Sequence, residues 1–347
     1  MNEAGCCTRF FVRKISHCQN RLNFRLRNAN SRFINYTALV VDTFKSEVTA
    51  GLRETPKRIP SKFFYDKRGS QLFEAITGLE EYYPTRTEIS ILKKYLPEMS
   101  ARIGSGATII EFGTGAGVKT KMLLESLEQP RAYIPIDISR EQLALASSEL
   151  AARFPHLDIH PMYADYTSEI TLPIKEDAGR IVVFFPGSTI GNFTPEEAIQ
   201  FLSRSANLIG LEGSLLIGYD RVKDARVLEA AYNDSSEITA AFNRNVINRI
   251  REEFHVQIIP EDFEHFAIFN KEESRIEMHL VSRKAQVLKL GDEEIHFGQG
   301  EHIITEYSYK YTPEAFDKIL TASGFKVQDR WRDEREYFEV CYATVHK

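Results

Sequence analysis

Thr108-Ile-Ile-Glu111-Phe112-Gly113-Thr114-Gly115-Ala116-Gly117-Val118-Lys119-Thr120 joins an apolar strand to an amphipathic helix through three closely spaced glycines. Glycines there let the backbone approach a ligand at φ values other residues resist, and the helix N-terminus favours negative or polar groups. Asp137 stands twenty-four residues after Gly113, at the end of the next apolar run, Ala132 to Ile136. An acid at that place can take both hydroxyls of a ribose. The order points to a nucleotide site. A dinucleotide fingerprint needs glycine at its first, third and sixth positions, and the sixth counted from Gly113 is Val118, so that fingerprint fails. Taken singly, Asp137 also suits the cap of the helix that follows, and Glu111 has Lys119 and Lys121 within reach as ion partners.

Around this segment, short apolar runs alternate with amphipathic ones. Strands are expected at Thr108–Phe112, Ala132–Ile136, Leu157–Tyr163, Arg180–Phe185 and Ser214–Tyr219. Helices are expected at Lys119–Leu127, Arg140–Phe154 and Pro195–Leu208. Arg180–Phe185 is almost wholly apolar, as a strand buried on both faces requires. This spacing implies βαβ units and a parallel sheet with helices on both faces. The pattern then changes. Ala225–Phe254 reads as helical, Phe266–Leu290 as antiparallel strands with a turn at Asn270–Glu273, and Thr312–Ser323 as a helix. That helix has Thr312 as cap, Pro313 in the first turn and Gly324 past the end. Phe325–Asp329 and Tyr337–Val345 are the last strands. The fold class is therefore α/β, a doubly wound Rossmann-like sheet with a second α+β domain inserted late in it. The expected division is a basic, disordered tail over 1–37, a substrate-binding lid from 38–86 and 223–310, and the nucleotide-binding sheet domain from 87–222 and 311–347. Ligands of such sheets lie outside the carboxyl ends of the strands.

Composition narrows the function. The formal net charge is −5, and residues 1–35 carry seven Arg or Lys against one acid, so the remainder is near −11 (−5 minus +6). A nucleic-acid enzyme would show the opposite balance in its folded part. No run of about 18 apolar residues suggests a membrane span. Three of four cysteines (Cys6, Cys7, Cys18) fall in the basic tail, and Cys341 stands alone, which suits a reducing cytoplasm and offers no zinc framework. His156 and His160 on one strand would lie roughly 13 Å apart, too far for a shared metal. No metal is expected.

Several strings carry more than the glycine loop does: Lys62-Phe-Phe-Tyr65-Asp66, Glu81-Tyr82-Tyr83-Pro84-Thr85-Arg86-Thr87-Glu88, Gly187-Ser-Thr-Ile-Gly-Asn192-Phe193, Ala241-Phe-Asn-Arg-Asn245, Arg275-Ile-Glu-Met278 and Thr305-Glu306-Tyr307-Ser308. With Glu111 two residues before the first glycine and the Asp165-Tyr166 pair after the third strand, the chain resembles the class I methyltransferases. Over about residues 45–347 it resembles, within them, the histidine Nα-methyltransferases of ergothioneine biosynthesis. The resemblance implies S-adenosylmethionine as methyl donor, free L-histidine as substrate and hercynine as product after three transfers. It implies a cofactor site of Gly113, Lys119, Asp137, Asp165 and Tyr166, and a histidine site of Tyr82, Asn192, Tyr232, Met278, Glu306 and Ser308. Tyr65 is implied near the reacting amine. The loop Gly113–Thr120 departs from the more serine-rich loops of bacterial relatives, but keeps the lysine.

The residue types suit that chemistry. The reaction is an in-line displacement at a sulfonium methyl, so the protein mainly positions its partners, and the amine must lose a proton first. Asn192 can donate to a carboxylate and Tyr232, on the expected lid helix, can add a second donor. Glu306 can accept from an imidazole N–H while Ser308 engages the other nitrogen, and strand alternation puts both on one face. Met278 offers a soft apolar wall. Each also has an ordinary role open to it: core for Met278 and the tyrosines, a turn for Asn192, a solvated strand face for Glu306 and Ser308. Two other functions are open. One is methylation of an indole amino acid, as in related fungal proteins, although an indole has one N–H and no acceptor to satisfy both Glu306 and Ser308. The other is a cofactor-binding scaffold with a dead site. A monomer acting on a small molecule, without nucleic acid or membrane, is the expected form.

Overall fold

The computed structural model describes residues 36–37, 43–168, 170–172 and 179–346. The tail expected over 1–37, with Cys6, Cys7 and Cys18, lies outside them apart from the short strand β1 (Tyr36–Thr37). The chain continues through α1 (Phe44–Arg53), β2 (Lys57–Arg58), a 3-10 turn at Ser61–Phe64, α2 (Lys67–Thr77) and α3 (Tyr83–Ile103). Strands β3 (Thr108–Phe112), β4 (Ala132–Asp137), β5 (Asp158–Ile159), β6 (Met162–Tyr163), β7 (Ile181–Phe185) and β8 (Ser214–Asp220) then alternate with α4 (Val118–Ser126), α5 (Arg140–Arg153) and α6 (Pro195–Ile209). A second group comprises α7 (Ala225–Ala230), α8 (Ile238–Phe254), β9 (Phe263–Asn270), β10 (Arg275–Ser282), β11 (Gln286–Leu290), β12 (Glu293–Phe297) and β13 (His302–Tyr309). The chain ends on α9 (Pro313–Ala322), β14 (Phe325–Arg332) and β15 (Phe338–Val345).

The main sheet has the order β1-β6-β4-β3-β7-β8-β15-β14, with β5 also on β4. It is parallel up to β8, and β15 runs antiparallel to both β8 and β14. Its central strands are buried on both faces. Ile110, Val183 and Leu215 pack with Phe201 and Leu202 of α6 and Phe316 of α9, whereas Ile109, Val182 and Leu216 pack with Leu92 of α3 and Leu123 of α4. Helices thus cover both faces, and the doubly wound α/β class read from the sequence is the class observed. The order reverses between β3 and β7, the place where such sheets open a crevice at their carboxyl edge.

A second sheet, β2-β13-β10-β9, is antiparallel except for β2 against β13. Its inner face shares a core with α1, α2 and α8. Met278 stands opposite Glu306 and Ile276 opposite Ser308, with a register shift between Met278 and His279. Among the described residues no helix is long and apolar enough to cross a membrane.

Four expectations need correction. The third strand is two short pieces, β5 and β6, interrupted at His160-Pro161, because proline brings no N–H to the ladder. The long helix over 225–254 is broken after Ala230. Asp234 accepts from the Ile238 and Thr239 amides (2.9 and 2.8 Å) and caps α8, an alternative that short polar side chains offer the backbone. Tyr232 therefore sits in the turn between α7 and α8, not on a helix. The hairpin β11–β12, turning at Gly291 (φ 64°), forms a separate two-stranded sheet beyond the antiparallel strands expected. The expected boundary at 86/87 falls inside the continuous helix α3. The Thr312 cap is observed, its hydroxyl accepting from the Ala315 amide (3.2 Å).

Candidate active site

The glycine loop leaves β3 with φ of 75°, 48° and 68° at Gly113, Gly115 and Gly117. A Cβ at Gly113 would lie 3.8 Å from the Tyr166 hydroxyl, and nothing stands within 4 Å of a Cβ at the other two, so the loop offers bare backbone. Asp137 ties two loops together. Its Oδ2 accepts from the Thr114 amide (2.8 Å) and hydroxyl (3.2 Å), and its Oδ1 from the Ser139 amide (2.7 Å). A carboxylate has about four acceptor positions, so Oδ1 keeps one for a ribose hydroxyl. Burial raises Asp137 above its ordinary pKa, and the hydrogen bonds from Ser139 and Thr114 offset part of that. The Tyr166 ring lies 5.6 Å from Phe112 and 5.9 Å from Phe201, forming an apolar wall beside Gly113. These groups fit an adenosine cofactor.

Three charged groups of this edge are differently engaged from what the sequence suggested. Glu111 pairs with neither Lys119 nor Lys121. It accepts from Thr120 (2.8 and 2.7 Å) and Tyr133, and burial pushes it up to about 7. Lys121 instead meets Glu149 (3.1 Å). Lys119 of α4 bonds Glu88 of α3, whose carboxylate also accepts from the Gly187 amide (2.9 Å), so Glu88 ties α4 to the loop after β7. Asp165 accepts from Lys62 (2.8 Å) and the Thr167 amide (2.9 Å). Burial would raise Asp165, but the bonds from Lys62 and Thr167 outweigh it and hold the carboxyl below its ordinary value.

Beside this edge, under the second sheet, lies a pocket. Tyr65, Tyr82, Asn192, Tyr232, Met278, Glu306 and Ser308, the seven substrate and amine residues named from the sequence, all line it. They come from six separate stretches of chain. Tyr65 follows the 3-10 turn and packs on Phe73 and Phe242. Asn192 ends a 3-10 turn (Thr189–Asn192) after β7 that opens at Ser188 with a left-handed φ of 58°. Gly191 within it approaches β13 so closely that a Cβ would meet the Tyr309 carbonyl at 2.9 Å. Met278 and Glu306 face each other across the β10–β13 ladder.

Polarity inside the pocket is uneven. Among the described residues nothing donates a hydrogen bond to the Glu306 carboxylate, and Tyr65, Tyr82 and Asn192 make no side-chain hydrogen bonds either. Burial pushes Glu306 up to about 7, with Lys310 pulling it down. Burial and then Glu306 hold the Tyr65 phenol well above its usual value. Tyr232 was expected to add a donor for a carboxylate; here its hydroxyl donates to Ser308 (2.8 Å) and accepts from Lys310 (3.1 Å).

Sequence reasoning missed a buried charge network at the pocket floor. Lys310 meets Asp220 (2.9 Å), and Asp220 also holds Lys223 and accepts from the Tyr83 hydroxyl (2.6 Å). Lys310 continues the two-residue step of Glu306 and Ser308, so the alternation was a signal that could have found it. No local pattern marks Asp220, at the end of an otherwise apolar strand. Among the described residues, no three His, Cys, Asp or Glu side chains are grouped to hold a metal ion.

A family described as "Histidine-specific methyltransferase, SAM-dependent" matches residues 44–345. The chain belongs to this family. It is 39% identical over 318 residues to a histidine N-alpha-methyltransferase of Mycolicibacterium smegmatis, covering 89% of this chain and 98% of that one. It is 37% identical to a histidine N-alpha-methyltransferase of Mycobacterium tuberculosis, covering 86% and 94%. It is also 30% identical to ergothioneine biosynthesis protein 1 of Neurospora crassa, covering 92% of this chain and 37% of that longer protein. Family membership brings S-adenosylmethionine as the methyl donor, to which the glycine loop, Asp137 and Tyr166 are suited.

Proposed function

We propose that the protein methylates the α-amino group of free L-histidine three times, giving hercynine, the first step toward ergothioneine. The observation that carries this is the pair Glu306 and Ser308: a buried carboxylate with no hydrogen bond from the described residues, and a hydroxyl two residues away on the same strand face. An imidazole satisfies both. Leaving them facing a ring without two nitrogens costs the desolvation of unpaired polar groups, and that discriminates against an indole.

S-adenosylmethionine, when bound, supplies an electrophilic methyl on sulfur. The chain's residues do the rest. Glu306 accepts the ring N–H and Met278 packs on the ring. The unengaged donors of Asn192 and Tyr82 suit the substrate carboxylate. Tyr65 orients the amine. Its raised pKa keeps the phenol protonated, so it holds the nitrogen and does not take up the proton. Each transfer forms one N–C bond, returns one S–C bonding pair to sulfur and releases one proton from nitrogen to water.

Titration calorimetry of two variants tests the roles. Glu306→Ala weakens histidine binding at least tenfold and leaves S-adenosylhomocysteine affinity within about twofold, a lost charged hydrogen bond being worth roughly 1.5–3 kcal/mol. Asp137→Ala does the reverse. Equal losses of both ligands in both variants would contradict the assignment.

A further inference from the structure

Lys310 carries consequences beyond its ion pair. It is buried (2% exposed), and its ammonium has three protons to give and no lone pair. It donates to Asp220 Oδ2 (2.9 Å), to Ser308 Oγ (2.8 Å) and to the Tyr232 oxygen (3.1 Å). Tyr232 donates in turn to Ser308 Oγ (2.8 Å). A serine hydroxyl has two lone pairs and one proton. Lys310 and Tyr232 fill both lone pairs, so only the proton remains for the pocket that Ser308 lines. Glu306, two residues earlier on the same face, accepts nothing from the described residues and presents lone pairs. The two groups that meet a ring therefore have opposite polarity.

We propose that Lys310 is a positioning residue that fixes Ser308 as a donor, so that the pocket selects one neutral imidazole tautomer, its N–H toward Glu306 and its lone pair toward Ser308. The proposal rests on the histidine reading above and deepens it. Lys310 is itself held in place. Asp220, fully buried, is fixed by Lys223, by the Tyr83 hydroxyl (2.6 Å) and, through its amide, by Ser188 Oγ (2.9 Å). A buried cation with this much support keeps one orientation.

The test uses the full chain with S-adenosylhomocysteine and L-histidine labelled with ¹⁵N in the ring, at pH 6.5, where free histidine is about half protonated, and at pH 8, where the Glu306 carboxyl, raised to about 7, is ionised. The expected spectrum of the bound ring shows one protonated, pyrrole-type nitrogen and one unprotonated, pyridine-type nitrogen. Two protonated nitrogens, or two averaged ones, overturn the proposal, and this measurement needs no variant. In Lys310→Met the histidine KM rises about tenfold, as for one misdirected hydrogen bond, kcat stays within about threefold, and S-adenosylhomocysteine affinity is unchanged. An unchanged KM, or parallel loss of KM, kcat and cofactor affinity, overturns it. Failure of the wild-type protein to bind or turn over histidine overturns the substrate reading, whereas normal turnover with a doubly protonated ring overturns only the role of Lys310.

Discussion

Glu306 is a residue the fold would be steadier without. Its carboxyl is raised from 4.5 to about 7 by burial, so ionising it costs the folded protein on the order of 3 kcal/mol, at roughly 1.4 kcal/mol per pKa unit. The sign follows from the raised value. The penalty is complete above about pH 7, shrinks as pH falls, and is gone below 4.5, where the group is protonated folded or unfolded. Glu306→Gln is therefore expected to raise Tm by a few degrees at pH 8 and not at pH 4.5, while histidine binding weakens. A Tm lowered at pH 8 would show that the carboxylate is structural. At this scale the sequence was informative where a residue repeats a step, as Glu306 and Ser308 do. It was silent on Asp220, Glu88 and Lys62, each of which has one partner, Lys310, Gly187 and Asp165 in turn, that is remote along the chain. A lysine's partner is a property of the folded chain, so the bond from Lys119 to Glu88 was not legible in the sequence.

Elements were legible where one period ran unbroken. β7 is apolar throughout because both its faces are covered, β3 and β8 are largely so, and α9 announces itself through Thr312-Pro313. The sequence failed where a local side chain overrode the period. Pro161 split a strand, and Asp234 ended one helix and began another. The turn carrying Asn192 is set by contact instead. Gly191 lies against the β13 backbone, with the Tyr309 carbonyl and amide 2.9 and 3.2 Å from a Cβ placed there. Backbone cannot yield as a flexible side chain does, so Gly191→Ala pushes the turn off β13. The expected result is a histidine KM up about tenfold with roughly 1–3 kcal/mol lost in stability. A variant with wild-type KM would mean that Asn192 does not hold the substrate.

The whole molecule places the pocket lined by Tyr65, Glu306 and Ser308 beside the glycine-loop edge, and one short segment touches both. Lys62 holds Asp165 (2.8 Å) and Glu47 (2.9 Å), and Tyr65, three residues later, lines the histidine pocket. Histidine and cofactor should then bind cooperatively. Lys62→Met is expected to reduce the gain in histidine affinity that S-adenosylhomocysteine confers to under about twofold, from a coupling of the usual 5-fold or more. Equal coupling in variant and wild type would detach the segment from that role. The change of pattern after β8, from alternating strands and helices to helices and antiparallel strands, was readable from the periodicity. The assembly of one pocket from six stretches was not, because it depends on β2 joining β13 across some 245 residues.

The central claim is that the α-amine of free histidine receives the methyl groups. Purified protein, L-histidine and excess S-adenosylmethionine, followed by mass spectrometry, should show mono-, di- and trimethylated histidine in succession, with three S-adenosylhomocysteine formed per trimethylated product. Histidine left unmodified, with S-adenosylhomocysteine no higher than in its absence, would contradict the account.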